Sequence, residues 1–170
     1  MGVIIALTGG SGHMGTAVTK QLKTLKGVDE IRFLLLNHRR EHRFFAKAKR
    51  GAACRMTAVY GNISDKEKVR SFVEGADYVI NLAAGIPPHS DKDPQASYEC
   101  NWIGAKNIAD CVYEANPQPK LIHCSTVALY GHRNYLHPWG RVGDPLLVSP
   151  FDNYAAHKKK GERYVMERGI

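Results

Sequence analysis

Short apolar runs alternate along the chain with longer stretches in which apolar residues recur at helical spacing. Val3-Ile4-Ile5-Ala6-Leu7 is followed by a segment of helical period over about 12–25, and then by an apolar run over 31–36. Helical period marks 41–50 and 65–74, with a strand-like segment at 56–60 between them and another at 78–82 after them. A long helix is expected over about 94–115, a strand over 121–124, and a last helix over 153–168, preceded by a loop rich in Gly, Pro and His. Ser64 and Glu67 have the spacing of a capping box for the 65–74 helix, and Gly75 follows it as a stop. Strands that alternate with helices in this way predict a parallel sheet, because right-handed helical crossovers return each strand in the same direction. With no linker or repeat to divide them, the 170 residues are expected to fold as one α/β domain.

Composition narrows the class. Hydrophobic residues make up 44% and charged residues 24%, the range of an ordinary globular chain. The longest apolar runs are strand-sized, far short of the roughly 20 residues a spanning helix needs, so no membrane span is expected. The first residues run directly into a strand without a basic leader, which points to the cytoplasm. Cys54, Cys100, Cys111 and Cys124 show no Cys-x-x-Cys spacing and read as reduced thiols. His123 and Cys124 are neighbours on one strand and point to opposite faces, and no metal site is expected. A net charge of +8 raises nucleic acid as a partner. The basic residues are dispersed and lack interleaved aromatics, so a solvated surface with no nucleic-acid partner is expected instead.

The first strand leads into Thr8-Gly9-Gly10-Ser11-Gly12-His13-Met14-Gly15, with glycines at 9, 12 and 15. A glycine-rich turn between a strand and a helix suits a dinucleotide. One glycine permits a tight turn, another lets backbone amides approach the pyrophosphate, and the third lets the helix pack against the sheet. The helix N-terminus adds unpaired N–H groups and partial positive charge. The sheet expected is therefore a Rossmann-type, doubly wound one. At the end of its second strand, an acid that would accept the adenosine ribose diol is missing. Asn37-His38-Arg39-Arg40 stand there, and two guanidinium groups can grip a 2'-phosphate. NADP(H) is the cofactor expected, with NAD(H) as the alternative.

Tyr154 and Lys158 form a Tyr-x-x-x-Lys pair, which a helix places on one face. An ammonium beside a phenol favours the phenolate and suits the phenol to proton exchange. The spacing alone is common, but its position after a glycine turn gives it meaning.

Taken with Tyr60-Gly61-Asn62-Ile63, Asn81-Leu82-Ala83-Ala84, Asn101 followed by Gly104, and Ser125-Thr126-Val127-Ala128-Leu129-Tyr130-Gly131, these motifs resemble the extended short-chain dehydrogenase/reductases, also called NAD(P)-dependent epimerase/dehydratases. The resemblance runs from about Val3 to Arg168. It implies that Tyr154 is the general acid/base, that Lys158 orients the cofactor ribose and tunes Tyr154, and that Thr126 hydrogen-bonds the reacting oxygen, with Ser125 as the competing choice. It places Gly9, Gly12, His13, Met14 and Gly15 at the phosphates, and Asn37, Arg39 and Arg40 at the adenosine ribose. Asn62 and Ile63 would line the adenine, Leu82, Ala83 and Ala84 the ribose and nicotinamide, and Asn101 would steady the neighbouring helix. Asn62 departs from the family's usual aspartate, and His13 from its usual aromatic or aliphatic residue.

The activity implied is hydride transfer at a hydroxyl or carbonyl carbon of a small-molecule substrate, with a non-catalytic NADP(H)-binding module as the alternative. The resemblance also implies that the sheet stops before the strand that follows the Tyr-x-x-x-Lys helix, that a C-terminal substrate domain is absent, and that turnover is slow. Helices 94–115 and 153–168 are expected to pair in a homodimer, with Trp102, Ile108 and Val112 at the interface or in the core.

Overall fold

Strands buried on both faces must carry apolar side chains at consecutive positions, and the first strand does so. In the computed structural model, which describes residues 2–133, 135–136 and 138–170, Val3–Thr8 forms β1. It lies at the centre of a five-stranded sheet of order β3-β2-β1-β4-β5. Its neighbours are β2 (Val28–Leu35) and β4 (Tyr78–Asn81), while β3 (Arg55–Tyr60) and β5 (Lys120–His123) form the edges. Every pairing is parallel. All strands therefore end on one side, and the strand order reverses on either side of β1, where open α/β sheets take their ligands.

Strand alternation divides the core in two. Ile5, Leu7, Ile31, Phe33 and Leu35 face α1 (His13–Leu22) and α2 (Arg39–Ala48), where Val18, Leu22, Phe44 and Phe45 cover them. Ala6, Leu34 and Val79 face α3 (Lys66–Val73) and the later helices, packing on Val69, Phe72, Ile108 and Val112. Asp65, not Ser64, caps α3: its carboxylate accepts from the backbone N–H of Glu67 and Lys68. The Glu67 side chain pairs instead with Arg70.

The helix expected over 94–115 is divided. A short α4 (His89–Lys92) precedes α5 (Pro94–Tyr98), a π-helical turn at Glu99–Ile103 follows, and α6 (Gly104–Glu114) completes the run. Asp93 stops α4 and caps α5 by accepting from the Ala96 N–H at 2.9 Å. After β5 comes a 3₁₀ turn, Val127–Tyr130, and further along α7 (Asn153–Arg168), whose N-cap is Asp152. Ile108 and Val112 are fully buried in this chain's core, so they are unavailable to a partner subunit. Trp102 packs edge-on against Tyr164 of α7, with ring centroids 5.6 Å apart.

At the start of the strands, the Glu30 carboxylate is buried and accepts from Arg32, Arg55 and Thr57. Burial raises its pKa, but these donors more than offset that and hold it below the usual carboxylate range. Among the described residues no helix is long and apolar enough to cross a membrane.

Candidate active site at the strand ends

The glycine turn begins as β1 ends. Gly9 adopts φ +67°, and a Cβ there would lie 2.7 Å from the Leu82 backbone; at Gly15 a Cβ would lie 2.0 Å from the Gly9 carbonyl oxygen. No side chain larger than hydrogen fits at either position. The turn folds back on itself through a 3.0 Å bond from the Gly12 N–H to the Gly9 carbonyl. Gly12 is the N-cap of α1, and no side chain caps that helix. The free amides suit a phosphate.

The ends of β1 and β4 are locked by side chains. The Thr8 hydroxyl donates to Asn81 Oδ1 at 2.7 Å and accepts from the N–H groups of Leu82 and Ala83, both at 3.1 Å. Asn81 Nδ2 donates to His123 Nδ1 at 3.2 Å, which leaves the proton of a neutral ring on Nε2. Burial, aided by the Lys158 charge, pushes His123 down to about 4, so the ring is neutral at neutral pH. Its Nε2 is buried without a partner among the described residues.

Beyond β4, Asn101 clasps the chain at Gly85. Its Oδ1 accepts from the Gly85 N–H at 3.0 Å, and its Nδ2 donates to the Gly85 carbonyl at 2.9 Å and to the Ser97 hydroxyl at 3.0 Å. The π-helical turn, which contains Asn101, interrupts the helix at this buried side chain. Ser97 Oγ lies 3.4 Å from His157 Nδ1, so α5 and α7 meet one residue before Lys158.

These segments enclose a cleft of about 580 Å³. Gly9, Gly12, Asn62, Ile63, Leu82, Ala83 and Ala84 line it together, and the clasped Asn101 stands behind Gly85. Ser11, Glu41, His89, Lys92 and Cys100 line it as well, and the motifs did not single them out. For Ser11 and Glu41 the available signal was proximity in sequence to the glycine turn and to the arginine pair.

Other expected residues lie elsewhere. Gly15 is buried under the turn, and His13 and Met14 are exposed at the start of α1. Arg39 and Arg40 open α2 as exposed side chains outside the cleft lining, with no hydrogen bond or ion pair among the described residues. Asn37 Oδ1 accepts from His42 Nε2 at 2.9 Å.

Ser125 and Thr126 border a separate hollow of about 280 Å³ with Tyr130, Leu146 and Glu162. The Thr126 hydroxyl is used locally, accepting from the Ala128 N–H at 3.2 Å, whereas the Ser125 hydroxyl is buried and has no partner among the described residues. Tyr154 and Lys158 stand one turn apart on α7. The Lys158 ammonium donates to the Cys124 carbonyl oxygen, beside Ser125, and burial holds it below the usual lysine range. The Tyr154 hydroxyl has no hydrogen-bond partner among the described residues. Burial raises the pKa of the Cys100 and Cys111 thiols, which disfavours their thiolates.

A glycine turn at the topological switch point, a clasped loop after β4 and a Tyr-x-x-x-Lys helix tied to the residue after β5 are the parts of a Rossmann-like α/β protein. The chain belongs to the NAD dependent epimerase/dehydratase family, whose model matches residues 5–168. It is similar to a UDP-N-acetylglucosamine 4,6-dehydratase (inverting) of Campylobacter jejuni, 29% identical over 156 residues, covering 91% of this chain and 45% of that protein. Among solved structures it resembles the UDP-Glc/GlcNAc 4-epimerase of Campylobacter jejuni. That match has a TM-score of 0.82 and 22% identity, covering 99% of this chain and 49% of the other. It also resembles the Bordetella bronchiseptica enzyme WbmH in complex with NAD+, with a TM-score of 0.79, 20% identity and coverage of 100% and 54%. The chain thus spans about half the length of these relatives.

Proposed function

We propose that this chain binds NADP(H) across the glycine turn and serves an oxidoreductase, epimerase or dehydratase that acts on a hydroxyl or carbonyl carbon of a nucleotide-linked sugar. The observation that carries the reading is the cleft at the switch point, where a glycine-rich turn, an uncapped α1 and the Leu82–Ala84 segment converge. Those residues fit a dinucleotide: amides for the phosphates and apolar walls for adenine at Ile63 and Leu36. The sugar-nucleotide class follows from the Campylobacter dehydratase and epimerase it resembles. The 2'-phosphate preference rests on Arg39 and Arg40, whose guanidinium groups are exposed at the start of α2 and unpaired among the described residues.

A bound nicotinamide supplies the hydride chemistry. The residues of the chain supply the rest. Lys158 holds the nicotinamide-side ribose, Tyr154 exchanges a proton at the substrate oxygen through its free hydroxyl, and Thr126 or Ser125 donates to the same oxygen. A homodimer through the outer faces of α6 and α7 is part of the same reading, and Tyr113 and Met166 are exposed on those faces. Sedimentation that shows only monomer at micromolar concentration would remove that part.

Calorimetric titration with NADPH and NADH tests the cofactor assignment. Tighter binding of NADPH, lost when Arg39→Ala and Arg40→Ala are combined, is expected. Equal affinities, or a preference for NADH unaffected by the double substitution, would reject it.

A further inference from the structure

Glu41 is not where its sequence position places it. Third in α2 and next to two exposed arginines, it should be a solvated surface acid, yet it is only 7% exposed and lines the cleft. Its Oε1 accepts a 2.7 Å hydrogen bond from the hydroxyl of Ser11, inside the glycine turn. Among the described residues no ion pair joins it to Arg39 or Arg40.

Dinucleotide folds bring the adenosine ribose to the end of the second strand, where a carboxylate accepts the 2'-hydroxyl and repels a 2'-phosphate. Leu36, the first residue past β2, lines the same cleft as Glu41. Glu41, the acid that follows the arginines, is therefore tied to the glycine turn by a serine. A buried carboxylate needs donors, and Ser11 is the side chain that supplies one. Without it, the carboxylate has two other destinations: the ribose edge, or the guanidinium groups of Arg39 and Arg40. Either one disfavours a 2'-phosphate, by repulsion in the first case and by neutralising its cations in the second.

We propose that Ser11 is a positioning residue for cofactor choice: its hydroxyl holds Glu41 against the glycine turn and so leaves the 2' position to the arginines. This rests on the NADP(H) reading given above. The consequence is that the arginines' access to the 2' position depends on a pair of residues thirty positions apart, neither of which supplies a charge to bind the 2'-phosphate.

The test is a double-mutant cycle read by calorimetric binding of NADPH and NADH, with the ratio of the two dissociation constants as the readout. Any general damage to the glycine turn weakens both cofactors and drops out of that ratio. Ser11→Ala should shift the ratio about tenfold toward NADH, which corresponds to about 1.4 kcal/mol. Glu41→Gln keeps an acceptor for Ser11 but removes the charge, and should leave the ratio at the starting value or further toward NADPH. Combining Ser11→Ala with Glu41→Gln should restore it. A ratio unmoved by Ser11→Ala, or one that stays shifted in the double variant, overturns the proposal. Should the unmodified chain bind both cofactors equally, the NADP(H) reading fails instead. The comparison of Ser11→Ala with the double variant then still reports whether Ser11 governs Glu41.

Discussion

Lys158 donates its ammonium protons to the carbonyl oxygen of Cys124, so the middle of α7 is tied to the residue that follows β5. The side chain is almost fully buried, and desolvation lowers its pKa. Between that lowered value and the ordinary lysine range the unfolded chain binds more protons than the folded one, so stability must rise with pH through this window. Lys158→Met, which keeps the stem and removes the charge, should flatten the rise. Urea unfolding of both proteins near neutral pH and near the lysine range checks this, and identical slopes would mean that the ammonium is better solvated than its burial implies.

His123 gives the acid counterpart. Its pKa falls from an ordinary 6.5 to about 4, so its contribution is complete above 6.5 and is lost as pH falls through 4. The loss expected from this ring is roughly 3 kcal/mol over that interval. His123→Gln can still accept from Asn81 but cannot titrate, and should remove most of the acid sensitivity in that window. Denaturant midpoints measured above and below the window would show an unchanged acid loss if other groups are responsible.

Gly15 sits against the Gly9 carbonyl with no room for a methyl group. Gly15→Ala should cost about 2–4 kcal/mol and abolish dinucleotide binding, because the turn must open to relieve the clash. A variant of unchanged melting temperature that still binds would show that the turn is more compliant than its geometry.

Asn101→Ala removes the clasp on Gly85 and leaves both of its backbone groups and the Ser97 hydroxyl short of a partner. The cost should be about 2–3 kcal/mol, with faster amide exchange concentrated at Gly85 and its neighbours. Uniform exchange changes across the sheet would place the role of Asn101 in global stability instead.

Tyr154→Phe removes a hydroxyl with no partner among the described residues, so stability should change by less than about 0.5 kcal/mol. Cofactor affinity should be preserved, while any hydride transfer to or from a nucleotide-linked sugar should fall by about 10²–10⁴. Undiminished transfer would assign the proton to another group.

The elements were legible wherever local pattern and tertiary packing agreed. The last helix has its expected limits, Asn153–Arg168, because Asp152 caps it and Gly169 ends it in a left-handed conformation. The helix expected over 94–115 was read as continuous because the turn at Glu99–Ile103 has helical composition. It is the Asn101 side chain, bonding to a loop sixteen residues earlier, that breaks the register. The site was legible as motifs but not as partnerships. Glu41 directly follows the two arginines in sequence and reads as a solvated acid, whereas its inward turn depends on Ser11, which no local pattern connects to it. Ile108 and Val112 were left open between core and interface, since an apolar helix stripe is the same in both, and packing on α3 decides for the core. The Thr126 hydroxyl was assigned from a motif alone, and the 3₁₀ turn it caps could not be seen there.

Gly161 lies in the middle of α7, where glycine costs about 1 kcal/mol relative to alanine. A Cβ there would meet the Ala105 Cβ at 3.0 Å and the Asn101 carbonyl oxygen at 3.1 Å. The helix that carries Tyr154 and Lys158 is therefore seated at a clearance of one hydrogen atom, and this seat rests on the same residue that clasps Gly85. In machining terms α7 has a loose outer surface and a ground inner one. Redesign of its exposed face leaves the reach of Lys158 unaltered, whereas a single methyl group at position 161 acts as a shim that lifts the helix off α6 and the π-helical turn by a few tenths of an ångström.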